Sequence, residues 1–388
     1  MHLVLFTHPN FKLSQSMPRY AKMIKDGMIA RSHTVELWTA RGYFSGLISN
    51  GTVKKWLGYV DQFLVFPIIL KWKLKKYPSN TLFVFTDHAL GPWIPLISGR
   101  PHIVHCHDFM AQRSAIGELP ENKIKLTGRL YQKIIRSGYR KAENFISISH
   151  NTRSDLHRFL NSKPKFSEVI YNGLNQDFKP KDSAIARKLL GDNFNYNLEE
   201  GYILHVGGNQ FYKNRIGTIK IYSAWREISN KKLPLLMVGA PPTEKLLQLR
   251  ANSSFKNDIY FLNNISDYEL QTAYQGASVL IFPSLDEGFG WPIAEAMASG
   301  CPVITTNKTP MTEVGADSCF YIPRQFIKST EDKSWEEVCA DVLENLLSLS
   351  SKERELLVKR GLENSLRFKT SSSISQIEQA YLKVYESY

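Results

Sequence analysis

The sequence predicts an α/β protein of two similar lobes, each a mainly parallel sheet covered by helices on both faces. Three observations predict it. The chain has 388 residues, more than one ordinary core organises. Short apolar runs alternate with stretches of helical periodicity along nearly all of it. That rhythm is broken once, between Asn175 and Glu200, by a polar stretch that holds Pro180, Gly191 and a run of asparagines. The lobes are expected at 1–178 and 179–370, with a final helix over 371–388 that packs back on the first lobe and ties the two together. Between them the lobes are expected to form a cleft, with ligands beyond the carboxyl ends of the strands.

The first lobe opens on the apolar strand His2–Phe6, which runs into the loop Thr7–Met17. A helix over Tyr20–Ile29 and a strand over Val35–Thr39 follow. Leu82–Thr86 and His102–His107 are short apolar strands. Arg129–Arg140 is helical and leads to the strand Asn144–Ser149. Asn151 or Thr152 is expected to cap the helix that ends near Leu160. Val169–Tyr171 closes the lobe. A short helix, Ala184–Leu190, interrupts the boundary stretch. Strands in the second lobe are expected at Tyr202–Val206, Leu235–Val238, Ile259–Phe261, Val279–Phe282, Val303–Thr305 and Cys319–Tyr321. Its helices are expected at Gly217–Glu227, Glu244–Ala251, Asp267–Tyr274, Pro292–Ala298 and Trp335–Leu347, with the last helix of the chain at Ser373–Tyr385.

Composition narrows the class. Hydrophobic residues make up 43% and aromatic residues 12%, which describes a globular protein. The four cysteines, Cys106, Cys301, Cys319 and Cys339, are far apart in apolar surroundings, which predicts buried free thiols. No pair has zinc-finger spacing. No secretory signal is read at the start of the chain. Tyr59–Leu74 comes nearest to a membrane span, and Asp61, Lys71 and Lys73 interrupt it. The chain is therefore expected in the cytoplasm.

The net charge of +13 suits an acidic ligand, nucleic acid or an anionic membrane. No nucleic-acid recognition module is visible, so nucleic acid is not an expected partner. Lys54, Lys55, Lys71, Lys73, Lys75 and Lys76 are interleaved with Trp56, Tyr59, Phe63 and Trp72. Such a segment fits peripheral contact with the inner face of the plasma membrane. It fits equally an ordinary helical pair with a solvated basic face.

The stretch from Phe282 to Val303 carries the chemistry. Pro283 ends an apolar strand, Gly288 and Gly290 permit a tight turn, and Pro292 opens a helix that Gly300 ends. A helix start beside a glycine turn offers backbone N–H groups to a phosphate. Glu287 precedes that helix, where its carboxylate can reach sugar hydroxyls. Glu295 lies a turn inside and suits ribose hydroxyls. The pattern fits a sugar joined to a diphosphate. Beside it, the strand Tyr202–Val206 runs into Gly207 and Gly208, which let the chain pass close to a ligand. Lys213 and Arg215 then follow, either to offset pyrophosphate charge or to face water. The double glycine is neither a dinucleotide fingerprint nor a phosphate-binding Walker loop.

Glu287-Gly-Phe-Gly-Trp-Pro-Ile-Ala-Glu295, followed by Ala296-Met-Ala-Ser-Gly-Cys-Pro-Val-Ile304, resembles the donor signature of retaining glycosyltransferases of family 4. Arg31–Glu36, Ser147–His150, Ile170–Gly173, Val206-Gly207 with Lys213-Asn214, and Glu313–Gly315 agree with it. The resemblance runs from the first strand to about Tyr321. It implies the GT-B fold, two Rossmann-like lobes facing across a cleft, with the acceptor on the first and a UDP- or GDP-sugar on the second. No bound cofactor and no metal are implied. Lys213 would contact the diphosphate, Glu287 the transferred sugar and Glu295 the ribose. The backbone around Gly288, Phe289 and Gly290 would cradle sugar and phosphates, and Glu313 would help order the nucleotide end.

Two positions depart from the family pattern. Gly208 and Asn209 stand where many members place an arginine. Ser16 and Met17 stand where many place paired glycines in the first loop, and Arg19 beside them could meet an anionic acceptor or the diphosphate.

On the acceptor side the strand His102–His107 ends in His105-Cys106-His107-Asp108. His105 and His107 share a strand face. Without a fourth ligand, the two histidines and Asp108 are not expected to hold a metal. The resemblance makes His107 the active-site histidine, hydrogen-bonded to the sugar or acceptor, and His105 a packed strand residue. Asp108 either orients His107 or caps a turn. Retention implies that the acceptor hydroxyl attacks from the face the diphosphate leaves, with a leaving-phosphate oxygen taking its proton. The acceptor would be a glycan, a lipid-linked glycan or a polysaccharide precursor. A nucleotide-sugar epimerase and a non-catalytic nucleotide-sugar-binding subunit are the alternatives on the same fold.

Overall fold

The computed structural model describes residues 1–9, 16–48, 51–174, 176–325 and 333–388. These divide into two compact units, Met1–Asn175 with Thr370–Tyr388, and Gln176–Lys369.

The first unit is built on a parallel sheet of β1 (His2–Phe6), β2 (Thr34–Trp38), β3 (Leu82–Phe85), β4 (His102–Cys106), β5 (Asn144–Ser147) and β6 (Phe166–Val169). Their order is β2-β1-β3-β4-β5-β6. Alternation along β1 sends Leu3 and Leu5 to one face and Val4 and Phe6 to the other, and all four are fully buried. Two cores result, which is why the central strands read as unbroken apolar runs. On the Val4 face lie Trp38, Phe66, Phe83, Phe85 and Trp93. The Leu3 face is covered by Tyr20, Ile24 and Met28 and by the helix Thr370–Glu386, which contributes Ile374, Ile377, Ala380, Tyr381 and Val384. Arg31 and His33 pair with Glu378 of that helix at 3.1 and 2.7 Å.

Several elements of this unit differ from the sequence reading. The first helix begins at Ser16, so Ser16, Met17 and Arg19 occupy its opening turn, where Pro18 costs no hydrogen bond. Ser14 and Gln15, read with them as loop, lie outside the described residues. The hydroxyl of Ser149, in extended backbone, caps the helix His150–Phe159 by accepting the Thr152 N–H at 3.0 Å. Neither Asn151 nor Thr152 is the cap. The last strand is Phe166–Val169, since the register pairs Asn144 with Phe166 and Ser147 with Val169. Two helices, Thr52–Val60 and Phe66–Leu74, are joined by a π-helical turn over Asp61–Val65. A 3-10 segment, His88–Ile97, crosses the helix Leu126–Tyr139 at a double-glycine contact. A Cβ on Gly91 would stand 2.4 Å from the Ile135 carbonyl oxygen, and one on Gly138 2.1 Å from that of Gly91.

The second unit carries β7 (Ile203–Val206), β8 (Leu235–Gly239), β9 (Ile259–Asn263), β10 (Val279–Phe282), β11 (Val303–Thr306) and β12 (Phe320–Ile322). All its pairs are parallel, in the order β12-β11-β10-β7-β8-β9. Ile203, Tyr222, Trp225, Met237, Ile281 and Leu343 centre its core. The helix Ser351–Ser365, unassigned in the sequence reading, packs on Trp291–Ala298, where a Cβ on Gly361 would stand 3.4 Å from the Met297 side chain. The four cysteines are free and buried. No helix among the described residues is long and apolar enough to cross a membrane.

Candidate functional site

In each sheet the strand order reverses at the first strand of its unit, β1 in one and β7 in the other. Such switch points open a crevice at the carboxyl ends of the strands.

In the second unit the loops after β7 and β10 meet there. Asn214, in left-handed backbone at φ 50°, caps the helix Arg215–Ile228 through its side-chain oxygen, and its amide donates to the Pro283 carbonyl at 3.1 Å. The Tyr212 carbonyl accepts the Leu285 N–H at 2.7 Å and lies 2.9 Å from Ser284 Oγ. This stitching brings Lys213 Nζ to 2.7 Å from Glu287 Oε1, and Ser284 Oγ donates to the same oxygen at 2.6 Å. The neighbouring carboxylate has its own cation, with Lys308 Nζ 2.7 Å from the buried Asp286. Gly290 follows at φ +104°, a conformation that favours glycine, and opens the helix Trp291–Ala298. The first N–H groups of that helix have no acceptor within it. Phe289 beside it is buried, edge-on to Phe368 at 5.3 Å, which leaves its backbone as the part a ligand can meet. Glu295 lies one turn into the helix and accepts the Tyr274 hydroxyl at 2.7 Å. Burial, then that carboxylate, raise the tyrosine well above its ordinary range.

Arg215 does not face water. It is 4% exposed, and Nη1 donates to Asn209 Oδ1 at 2.6 Å and to the Ala240 carbonyl at 2.8 Å. Its Nε and Nη2 are buried without a hydrogen-bond partner. Gly207 and Gly208 lie in the loop after β7. A Cβ on Gly207 would press on His205 Nε2 at 3.1 Å, and one on Gly208 on the Gln210 side chain at 2.5 Å. Glu313 is half-buried in the short helix Met311–Gly315.

In the first unit the loops after β1, β3 and β4 converge. His8 Nε2 lies 2.8 Å from Asp87 Oδ2, and His88 Nδ1 3.1 Å from Asp87 Oδ1. Burial would raise the Asp87 carboxyl. The hydrogen bond from His8 and the adjacent His88 ring overcome that and hold it well below the usual carboxylate range. His107 is buried beside it, with Nε2 2.8 Å from the Thr86 carbonyl. A carbonyl only accepts, so Nε2 carries the proton and the neutral ring keeps Nδ1 as an acceptor. Burial lowers the pKa of His107 and favours that neutral form, while Asp87 opposes it. His105 is fully buried between the Tyr20 hydroxyl at 2.7 Å and that of Tyr381 at 2.8 Å, and burial pushes its pKa down to about 3. Asp108 accepts the Met110 N–H at 3.0 Å and closes the turn into the helix Met110–Ala115. Met17 is half-buried and Arg19 exposed.

Sequence reasoning missed His8, Asp87, Ser284, Asp286 and Lys308. Position was the available signal, because each stands within four residues of a strand's carboxyl end. Among the described residues no group of three or more His, Cys, Asp and Glu side chains is arranged to hold a metal ion.

Residues 17–178 match the family described as Glycosyltransferase Family 4, and residues 191–381 the family described as Glycosyl transferases group 1. The chain is 26% identical over 273 residues to O-antigen chain mannosyltransferase B of Escherichia coli, covering 68% of this chain and 66% of that protein. It is 25% identical over 270 residues to O-antigen chain mannosyltransferase RfbU of Salmonella typhimurium, covering 69% and 67%. The chain thus spans about two thirds of the length of these curated relatives. Anabaena Alr3699/HepE, solved in complex with UDP and glucose, has the same fold at a TM-score of 0.70 and 15% identity, over 98% of this chain and 99% of that one.

Proposed function

We propose, for a chain that is a GT-B-fold glycosyltransferase related to the group 1 and family 4 enzymes, that it transfers a hexose, with retention, from a nucleoside-diphosphate sugar to a glycan, lipid-linked glycan or polysaccharide precursor. The observation that carries this reading is the Lys213–Glu287 pair at the switch point of the second sheet, beside a glycine-capped helix start. A cation and backbone N–H groups suit a departing diphosphate, and an adjacent carboxylate suits sugar hydroxyls.

In this reading the second unit, approximately 179–370, holds the donor. Lys213 and the first turn of Trp291–Ala298 take the diphosphate, aided by Arg215, whose buried N–H groups lack acceptors. Glu287 binds the sugar and Glu295 the ribose. Gly207, Gly208, Gly288 and Gly290 allow close backbone approach, with Phe289 anchored beneath and Glu313 toward the nucleotide end. The first unit, with the helix 371–388, takes the acceptor through His107, Asp108 and the Ser16–Arg19 turn. The bond from the anomeric carbon to phosphate breaks as the acceptor oxygen bonds to that carbon on the same face. The acceptor proton passes to a leaving-phosphate oxygen. No metal is needed where Lys213 and the helix start offset the charge.

The names of the two O-antigen relatives make mannose the first sugar to test and a polysaccharide precursor the first acceptor. The basic and aromatic segment from Lys54 to Lys76 supports a cytoplasmic protein in peripheral contact with the inner face of an anionic membrane, whatever the acceptor.

The test is turnover in EDTA with GDP-mannose and a panel of UDP-sugars, with and without polysaccharide or lipid-linked acceptors. Nucleoside diphosphate release would be followed, and the product's anomeric configuration read by NMR. Acceptor-dependent release with an α-linked product from an α-donor is expected. An inverted product would overturn retention, and turnover without acceptor consumption would point to epimerisation.

A further inference from the structure

The helix Leu126–Tyr139 carries two features that sugar transfer does not use. Leu126, Leu130 and Ile134 recur every fourth residue, so they share one face, and they are 80%, 60% and 47% exposed. A solvated helix face would be polar there. At the carboxyl end of the helix a cavity of about 290 Å³ is lined by Lys133, Arg136, Ser137, Arg140, Lys141 and Asn161. Four cations and no carboxylate line it. Phe159 fixes two of them, its carbonyl accepting from Arg140 Nε at 2.6 Å and its ring lying 5.7 Å beneath the Arg136 guanidinium. Lys133 and Ser137 belong both to the cavity and to the helix face that carries the three aliphatic side chains.

Aromatic contacts join this helix to the neighbouring helical pair, which carries further exposed apolar side chains. Tyr59 and Phe63 place their rings 5.6 and 6.0 Å from Tyr131. Beyond them Trp56, Leu64, Ile68 and Trp72 are 59%, 62%, 60% and 68% exposed. Charge is one-sided here. Residues 37–86 hold seven Lys or Arg and one carboxylate, Asp61. That carboxylate is buried and spent on the Ser45 hydroxyl at 2.7 Å and the Phe44 and Ser45 N–H groups at 3.0 and 2.9 Å. Residues 122–142 hold seven more cations and no acid. The helix dipole accounts for a cation in the last turn of Leu126–Tyr139, but not for leucines in water.

We propose that this face of the first unit docks on an anionic phospholipid surface, with the Lys133, Arg136, Arg140 and Lys141 cavity taking the phosphate of one lipid headgroup. Large exposed aliphatic and tryptophan side chains ringed by cations are what an anionic interface recognises. A protein partner would leave these cations in need of matching acids, and nucleic acid would make no use of the aliphatic face. The site rests on the reading of membrane contact above but not on sugar transfer, since binding needs neither donor nor acceptor.

The test is sedimentation of the full chain with vesicles of phosphatidylcholine alone and of an equal mixture with phosphatidylglycerol. Binding to the mixture only, weakened by salt, is expected. Lys133→Gln with Lys141→Gln should bind about thirty-fold more weakly, the effect of two interfacial cations. Leu126→Ser with Leu130→Ser should weaken binding at least about ten-fold without altering charge. Both pairs of positions are exposed, so unfolding temperatures should match wild type. Wild-type binding that the Lys133/Lys141 variant retains in full would remove the headgroup site and leave membrane contact standing. Absent binding to the mixed vesicles, or equal binding to both kinds, would overturn the site and the membrane reading together.

Discussion

Lys213 and Glu287 stand 74 residues apart in sequence and 2.7 Å apart in the structure, with their side chains 15% and 8% exposed. An ammonium already paired with a carboxylate is partly neutralised toward an arriving diphosphate. Removing that charge while keeping the shape should therefore separate binding from transfer. Glu287→Gln is expected to hold a nucleoside diphosphate at least as tightly as wild type and to lose transfer by about 100-fold or more. Calorimetry and a turnover assay on the same preparation check it. Equal loss of both would mean that the carboxylate only positions Lys213.

Tyr274 is a support for Glu295 rather than a ligand. Its hydroxyl donates to the carboxylate at 2.7 Å, and its ring is fully buried. Tyr274→Phe removes one hydrogen bond to a charged group, worth about 2 kcal/mol. It should weaken nucleoside diphosphate binding by about ten-fold while leaving the transfer rate at saturating donor unchanged. Titration of affinity beside saturated turnover tells this apart from general damage.

Asp87 joins the loops after β1 and β3 and sits beside His107. With the carboxyl held well below its usual range, it is ionised at neutral pH. Asp87→Asn keeps the size and deletes the charge that His8 and His88 face. Transfer is expected to fall by about 10- to 100-fold, with donor affinity in the second unit unchanged. A pH–rate profile unaltered by the substitution would confine Asp87 to packing.

Buried histidines set an acid limit. His105 and His205 are each pushed down to about 3 by burial, and burial also lowers His102 and His107. The unfolded chain binds these protons near pH 6.5 and the folded chain does not. Stability is therefore full above about pH 6.5 and falls as pH drops, by up to about 1.4 kcal/mol per pH unit for each such histidine. Urea unfolding at pH 7 and pH 5 should show a lower midpoint at pH 5, before most carboxylates titrate. A flat profile over that range would mean that the imidazoles are solvated.

Strands were legible because fully buried parallel strands are short apolar runs, and Val279–Phe282 is read to the residue. Helix starts were less so. The helix from Ser16 hides behind a polar segment, and Ser351–Ser365 was passed over although Ser350 and Glu353 form a capping box at its start. The 3-10 segment with Pro92 and Pro95 has no helical sequence pattern to find. Glu287 and Lys213 could be singled out from local spacing, but their contact could not. It depends on β10 returning to the side of β7 opposite β8. Asp87 had no motif around it, and its role comes from two imidazoles, one of them 79 residues away.

Lys213, Glu287 and Glu295 are proposed to form one nucleoside-diphosphate-sugar site. Calorimetric titration of UDP, GDP and their sugar conjugates in EDTA, into wild type, Lys213→Ala and Glu295→Ala, tests it most directly. One nucleoside diphosphate is expected to bind selectively without metal, and each variant to weaken it by about ten-fold or more. No binding of any nucleotide to wild type, or equal binding by all three proteins, would contradict it.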